Sequence, residues 1–377
     1  MVRKFSLEYL RQETNQIDLL ISNANELLNK QQKPIILFGT GIIGKINLAY
    51  CKKYCKAEKI LFCDNDSNKW GSKIDEINVI SFEELVTKYR ESYIIISTFQ
   101  FRDEIYSQLL KSNLEENIIN PSSKNVIVSE TPFYEVFKNY YNVVKRNKEK
   151  FTEVFNMLSD DESKDIFYER INYCITANNE YLIPKQSTGP QYFDPEVISF
   201  SNDEIFIDGG AYIGDTVEGF LKAVNGKYKK IYAFEPEDTK HQEFFKRLSS
   251  HNNIELKPFG LWKSNDVLRF SSENSGSSQV TQCGNIEIPV VSIDETLMRE
   301  PVTFIKMDIE GAEIEALKGA EKTIKKYKPK LAICVYHKPL DLIEIPLYLK
   351  SIVPEYSFKL RHYNNSASET VCYAVVK

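Results

Sequence analysis

The sequence predicts an α/β protein built on two separate parallel sheets, the second ending in an antiparallel hairpin. Three observations predict it. The chain has 377 residues, more than one hydrophobic core usually accommodates, so two cores are expected. Short continuous apolar runs alternate with amphipathic segments twice along the chain, the pattern of strands covered on both faces by helices. A glycine-bearing turn follows the first apolar run of each alternation and opens a helix, as in a Rossmann-like nucleotide-binding unit.

Composition narrows the function classes. With 42% hydrophobic and 27% charged residues and a net charge of -5, the chain reads as an ordinary globular protein without the basic face of a nucleic-acid binder. No apolar stretch reaches the roughly 20 residues that a membrane-spanning helix needs. The start carries Arg3 and Lys4 but runs into Arg11, Glu13 and Asp18 without the apolar core of a signal peptide. The seven cysteines are odd in number and scattered, several inside apolar runs, which favours a reducing compartment and a cytoplasmic protein. Cys51 and Cys55 share a helix face, yet no His or third Cys stands nearby to make a zinc site.

In chain order, Leu7, Leu10, Ile17, Leu20, Ile21 and Leu28 form a helical stripe at the N-terminus. Ile35–Phe38, Ile60–Cys63 and Tyr93–Ser97 are the strands of the first sheet, which closes near Pro121-Ser-Ser123. Residues 131 to 179 turn helical and rich in aromatics, among them Phe133, Tyr134, Phe137, Tyr140, Phe151, Phe155, Phe167 and Tyr168; we read them as a connector whose rings carry inter-domain packing. The second alternation begins at Glu204, with strands at Ile205–Asp208, Ile231–Glu235, Ile254–Lys257, Val302–Asp308 and Leu331–Tyr336. The last two, Phe358–Arg361 and Val371–Val375, are joined by the turn at Asn364-Asn365-Ser366 and make the hairpin. The expected division is residues 1–130 as an N-terminal nucleotide-binding domain with its leading helix, 131–190 as a helical connector and 191–377 as a catalytic domain.

The richest site lies in the second alternation. Asp208-Gly209-Gly210-Ala211-Tyr212-Ile213-Gly214-Asp215-Thr216 follows a strand and opens a helix, so backbone N–H groups can approach a ligand closely. An acid at the strand end repels a pyrophosphate and suits the ammonium or the hydroxyls of S-adenosylmethionine. Glu235, before Pro236, ends the next strand, where a carboxylate can accept the hydroxyls of a ribose. Lys306-Met-Asp308-Ile-Glu310-Gly-Ala-Glu313 then brings three carboxylates to the same sheet edge, with Asp308 and Glu310 on one face if the chain stays extended. Helix-dipole preference explains an acid such as Glu313 but not the other two. His337 ends the neighbouring strand and, of the four histidines, is the one placed for proton transfer.

From about Gln191 onward the sequence resembles the FkbM-type methyltransferase family. The likeness is carried by Gln191-Tyr-Phe193, Ile205 to Thr216, Phe234-Glu-Pro236, the Gly276-Ser-Ser278 loop, Ser292-Ile-Asp294 and Lys306 to Glu313. It implies a class I methyltransferase sheet of seven strands, S-adenosylmethionine as donor and O-methylation of a hydroxyl, often on a sugar or a polyketide-type product. Gly209 stands where the family frequently has a β-branched residue, which loosens the turn. The residues expected to hold the cofactor are Asp208, Gly209, Gly210, Ala211, Tyr212, Gly214, Asp215, Thr216, Glu235 and Pro236. Those expected to act on a small-molecule or glycan acceptor are Asp308 and His337 as base candidates, and Glu310 to orient the acceptor or, with Asp308, to hold a divalent ion such as magnesium.

In the first alternation Gly39-Thr40-Gly41-Ile42-Ile43-Gly44 follows a strand, and Asp64 ends the next. That is the context of a dinucleotide fingerprint, with no acid before Gly39 to repel a phosphate. The segment resembles the small Rossmann-like domains attached to polysaccharide-biosynthesis enzymes, which implies a nucleotide, NAD or a nucleotide sugar, or a scaffold that needs the glycines only for packing. Two other functions fit the pattern: an NAD-dependent oxidoreductase of nucleotide sugars, which would need a hydride-transfer constellation that is not visible after Asp64, and a non-catalytic module of glycan assembly, which would leave the acidic cluster idle.

Overall fold

The computed structural model describes residues 4–12, 33–54, 59–98, 101–119, 139–270, 286–298, 300–364 and 368–376. The chain divides into two compact units, residues 13–138 and residues 1–12 together with 139–377.

The first unit is a five-stranded sheet in the order β3-β4-β2-β1-β5, with β1 Ile35–Phe38, β2 Ile60–Cys63, β3 Lys73–Ile74, β4 Ile77–Ile80 and β5 Tyr93–Ile96. Strands β4, β2, β1 and β5 run parallel and β3 pairs antiparallel with β4. All four residues of β1 are buried, as a strand covered on both faces requires. The β3–β4 hairpin was not legible: its turn is made by Asp75 and Glu76 at φ 49° and 66°, left-handed positions that sequence reading assigns to Asn-Gly or Asp-Gly pairs. Among the described residues the unit also has helices α1 Ile42–Tyr54, α2 Phe82–Lys88 and α3 Arg102–Lys111. Ser81 caps α2 by accepting from the Glu84 amide at 3.1 Å.

The second unit carries a seven-stranded sheet in the order β14-β15-β13-β12-β6-β7-β8. Its strands are β6 Ile205–Gly209, β7 Lys230–Phe234, β8 Ile254–Lys257, β12 Phe304–Met307, β13 Lys330–Cys334, β14 Tyr356–His362 and β15 Thr370–Val376. The first five are parallel, and the β14–β15 hairpin joins β13 antiparallel. A three-stranded sheet, β9 Gly260–Leu261, β10 Asp266–Phe270 and β11 Ile286–Val291, lies between β8 and β12 in sequence and was not anticipated.

Helices α4 Tyr140–Arg146, α5 Lys148–Met157 and α6 Asp161–Thr176 belong to this unit, although the sequence reading made them a connector. The reason is a set of bonds to β14: Ser159 donates its amide to the Phe358 carbonyl at 2.9 Å, Leu360 donates to Ser163 Oγ at 2.8 Å, and Arg361 pairs with Asp160 at 3.0 Å. The expected aromatic stripe is this unit's own core, with Phe151, Phe155, Phe167 and Tyr168 packed around Phe5 at centroid distances of 5.4–6.2 Å. Phe133, Tyr134 and Phe137 lie outside the described residues. The expected N-terminal helix is described only at Leu7–Tyr9, a single 3-10 turn capped by Ser6; residues 13–32 also lie outside.

The remaining helices are α7 Asp215–Ala223, α8 Asp238–Leu248, α9 Ile293–Thr296, α10 Glu313–Lys318, α11 Glu321–Tyr327 and α12 Asp341–Ile352. Beneath the sheet edge, Phe206 and Phe304 stack at 4.8 Å on adjacent strands, with Phe193 and Phe220 against them. Each such ring contributes about 1.5–3 kcal/mol of burial, which makes β6 and β12 a rigid platform. Strand order reverses between those two strands. Ligands of open α/β sheets dock at the carboxyl ends there. No helix among the described residues is long and apolar enough to cross a membrane. Cys51, Cys63, Cys174, Cys334 and Cys372 are buried, and none of them is in a disulfide.

Candidate active site

The turn after β6 is shaped by backbone that only particular residues tolerate. Gly210 has φ +77°, and a Cβ there would stand 1.9 Å from the Asp308 carbonyl; Gly214, which precedes α7, has φ +86°. Tyr212 lies at φ 46° without being glycine, a strained position of the kind found at ligand sites. A Cβ on Gly209 would come within 2.8 Å of the Leu261 side chain on β9, which would have to shift to admit a larger residue.

Asp208 differs from the sequence reading. Its carboxylate does not face the turn; it is fully buried and lies 3.0 Å from Lys306 Nζ. The register explains why, since Lys306 is the direct cross-strand partner of Asp208 on β12. Lys306 also donates to the carbonyls of Gly209 and Gly210, at 3.2 and 2.9 Å. Burial opposes its charge, but the carboxylates of Asp208 and Asp308 outweigh it and hold the ammonium above its usual pKa. Asp208 therefore shapes the turn through Lys306.

Glu235 follows β7. Its Oε2 accepts from the Tyr212 amide and its Oε1 from the Glu237 amide, both at 2.9 Å. The carboxylate is thereby fixed beside the β6 turn, and each oxygen keeps a lone pair for a hydroxyl. His241 Nε2 lies 2.8 Å from the Glu235 carbonyl, a second partner the sequence gave no reason to single out. Asp215 and Thr216 open α7.

The third element converges more tightly than its sequence spacing suggests. Extended backbone ends at Met307, and Glu310 at φ 54° with Gly311 at φ 91° turns the chain sharply, so Asp308 and Glu310 do not share an extended face. The turn is tied by Glu313, whose Oε1 accepts from the Ile309 amide at 2.9 Å. Both acids nevertheless reach His337, Asp308 Oδ1 at 3.4 Å and Glu310 Oε2 at 3.6 Å from Nε2, while Glu313 Oε1 lies 3.0 Å from Nδ1. Asp308 in addition accepts the hydroxyls of Tyr192 and Tyr336, each at 3.0 Å. Burial works against its ionisation, yet Lys306, His337 and the two hydroxyls keep its pKa below the usual carboxylate value.

His337 is the principal electrostatic feature. Burial disfavours its charge, but Glu313, followed by Asp308 and Glu310, raises its pKa to about 9. It is an imidazolium at neutral pH. That state has no lone pair with which to take a proton, so the role of neutral base expected from the sequence does not match this surrounding.

Asp308, Glu313 and His337 place donor atoms within 4.8 Å of one another. They do not fit an ion well. Glu313 faces Nδ1 and Asp308 faces Nε2, and one ion can take only one ring nitrogen. The pair expected from the sequence, Asp308 and Glu310, offers two carboxylates, fewer ligands than a hard divalent ion usually takes.

Residues 208–360 match the methyltransferase FkbM domain. This places a methyltransferase domain on the second sheet, from the end of β6 into β14. Residues 31–120 match the C2185-like, N-terminal domain, a description that names no polysaccharide role. The methyltransferase FkbM from Methylobacillus flagellatus KT shares the fold, at 23% identity and a TM-score of 0.66, over 95% of this chain and 98% of that one. An rRNA methylase from Streptococcus thermophilus matches at 19% identity and TM-score 0.32, covering 48% of this chain and 91% of its own. The fibrillarin of Aeropyrum pernix, with natively bound S-adenosyl-L-methionine, matches at 11% identity and TM-score 0.32, over 48% and 70%. Likeness at that level does not bear on the chemistry of this chain. No curated protein sequence matches it.

The methyltransferase domain thus brings Asp308, Glu310 and His337 together and sets Glu235 against the β6 turn, while Asp208 is withdrawn behind Lys306. Sequence reading missed Tyr192, Tyr336, Lys306 and the orienting role of Glu313. Lys306 had a signal: a lone cation inside the apolar strand Phe304-Ile-Lys-Met307 requires a buried acid. The Gly276-Ser-Ser278 loop lies outside the described residues.

Proposed function

We propose that the chain transfers a methyl group from S-adenosylmethionine to a hydroxyl of a small-molecule acceptor, a sugar or glycan precursor. The observation that carries this reading is the coincidence of the methyltransferase domain with a fixed ribose-accepting acid, Glu235, and an acid–tyrosine–imidazolium cluster at the same switch point. The donor supplies an electrophilic methyl carbon on a sulfonium. The acceptor oxygen attacks that carbon, the carbon–sulfur bond breaks with its electrons going to sulfur, and the hydroxyl proton passes to a base.

Asp308, ionised and held by Tyr192 and Tyr336, is the base this arrangement favours. His337 acts as a fixed positive charge that steadies Asp308 and the developing alkoxide. Glu310 orients further hydroxyls. A polyhydroxyl acceptor suits such a surrounding because carboxylates and tyrosines offer acceptors and donors without requiring charge on the substrate.

Calorimetry with S-adenosylhomocysteine tests the donor. Binding to the folded chain is expected, weakened about tenfold or more in Glu235→Ala with the melting temperature retained; no binding would remove the donor assignment. Methyl transfer from labelled donor to a panel of nucleotide sugars and free glycans tests the acceptor, and label recovered only on nitrogen or carbon would overturn O-methylation.

A further inference from the structure

The first unit holds a cavity of about 560 Å³ that the methyl-transfer reading does not use. It opens at the carboxyl ends of β1, β2 and β5, where strand order reverses between β1 and β5, and it is large enough for a nucleotide. The three glycines of the first fingerprint separate there. Gly39 has φ +116° and a Cβ on it would lie 2.7 Å from the Ser97 carbonyl; a Cβ on Gly44 would lie 2.2 Å from the Gly39 carbonyl. The fold itself demands both. Gly41 is different: its backbone is outside the left-handed region, nothing lies within 4 Å of a Cβ built on it, and it lines the cavity. A side chain at Gly41 would meet only the space of the cavity. Glycine there keeps clear the approach to the backbone that opens α1, a 13-residue helix with no acid in its first turn.

The opposite side of the turn is also preorganised. Asp64 Oδ2 accepts from the Thr40 amide at 3.2 Å, from the Thr40 hydroxyl and from Lys69 at 3.1 Å, and Oδ1 accepts from the Asp66 amide at 2.9 Å. The Thr40 amide is thus taken, which leaves the α1 end as the anion-binding part of the turn. Oδ1 keeps a lone pair, and the Lys69 ammonium stands on the neighbouring Oδ2. An acceptor and a donor so placed match a vicinal diol. Phe101, 52% exposed, lines the cavity and offers a ring face to a base.

We propose that the first unit binds a ribonucleoside diphosphate, the ribose diol on Asp64 and Lys69 and the diphosphate on the backbone amides that begin at Gly41. The test is calorimetry of the full chain with ADP and with UDP, in saturating S-adenosylhomocysteine so that a donor site in the second unit is filled. One equivalent of either nucleotide binds, and the preferred base is read from the pair. The 2′-deoxy counterpart binds about tenfold more weakly. Gly41→Ala keeps the wild-type melting temperature and loses about tenfold or more in affinity, whereas Gly44→Ala lowers the melting temperature. No binding of ADP or UDP by the folded chain, or unchanged affinity in Gly41→Ala, overturns the site; equal affinity for the deoxy nucleotide overturns the diol assignment.

Discussion

Replacing Glu313 by Gln isolates the charge that makes His337 an imidazolium. The amide oxygen of Gln can still accept from Ile309, so the turn is preserved while the negative charge 3.0 Å from Nδ1 disappears. His337 is raised from 6.5 to about 9, an interval worth about 3 kcal/mol in favour of the protonated ring at about 1.4 kcal/mol per pH unit. Burial pulls the other way, and Glu313 is the largest of the three acids that overcome it. Its removal should lower the pKa by about two pH units and leave the ring mostly neutral at pH 8.

Because the folded pKa lies above the unfolded one, His337 contributes its full stability below pH 6.5 and loses it as pH rises through 9. Wild-type stability therefore falls by about 3 kcal/mol across that window, or about 6–12 °C in melting temperature for a unit of this size, and Glu313→Gln flattens the fall. Asp341, pushed up to about 7 by burial and by Glu313, loses its own contribution at lower pH, between 3.8 and 7. The direct assay is NMR titration of the imidazole resonances, with His337→Gln identifying one signal among four histidines. A wild-type midpoint at or below 6.5, or an unmoved midpoint in Glu313→Gln, would refute the electrostatic account.

Lys306→Met should destabilise the second unit by about 3–5 kcal/mol in denaturant melts, because it strands the buried Asp208 carboxylate; adding Asp208→Asn should restore most of the loss. Gly210→Ala should cost about 2 kcal/mol or more, from its φ of +77° and the Asp308 carbonyl 1.9 Å from the new Cβ, and an unchanged melting temperature would contradict the described turn. Methyl transfer should decline as pH passes about 9, where His337 loses its proton; a rate that instead rises through that pH would return the base role to a neutral His337. The same activity should survive exhaustive chelation, since Asp308, Glu310 and Glu313 face His337 as partners to a proton, and abolition by chelator with restoration by magnesium would reverse that assignment.

The sequence by itself determined the parallel strands of the two larger sheets and the edge on which the acidic cluster gathers. Continuous apolar strands such as Ile35–Phe38 and Phe304–Met307 have one stable arrangement, and glycines after strands announce tight turns at their carboxyl ends. Asp308, Glu310 and His337 were legible for the same reason, since each ends or follows a strand. What only the tertiary structure decided was the partner of each charge. Register set Lys306 opposite Asp208 and so removed that acid from the turn. Packing of residues 139–176 on β14 turned an apparent connector into part of the second unit. The enclosure of His337 by Asp308, Glu310 and Glu313, gathered by a left-handed turn at Glu310 and Gly311, gave it its proton. Strand identity depends on local hydrophobic pattern, which is written in the chain; a buried group's charge depends on neighbours brought from other elements, and those are fixed only when the sheet has closed.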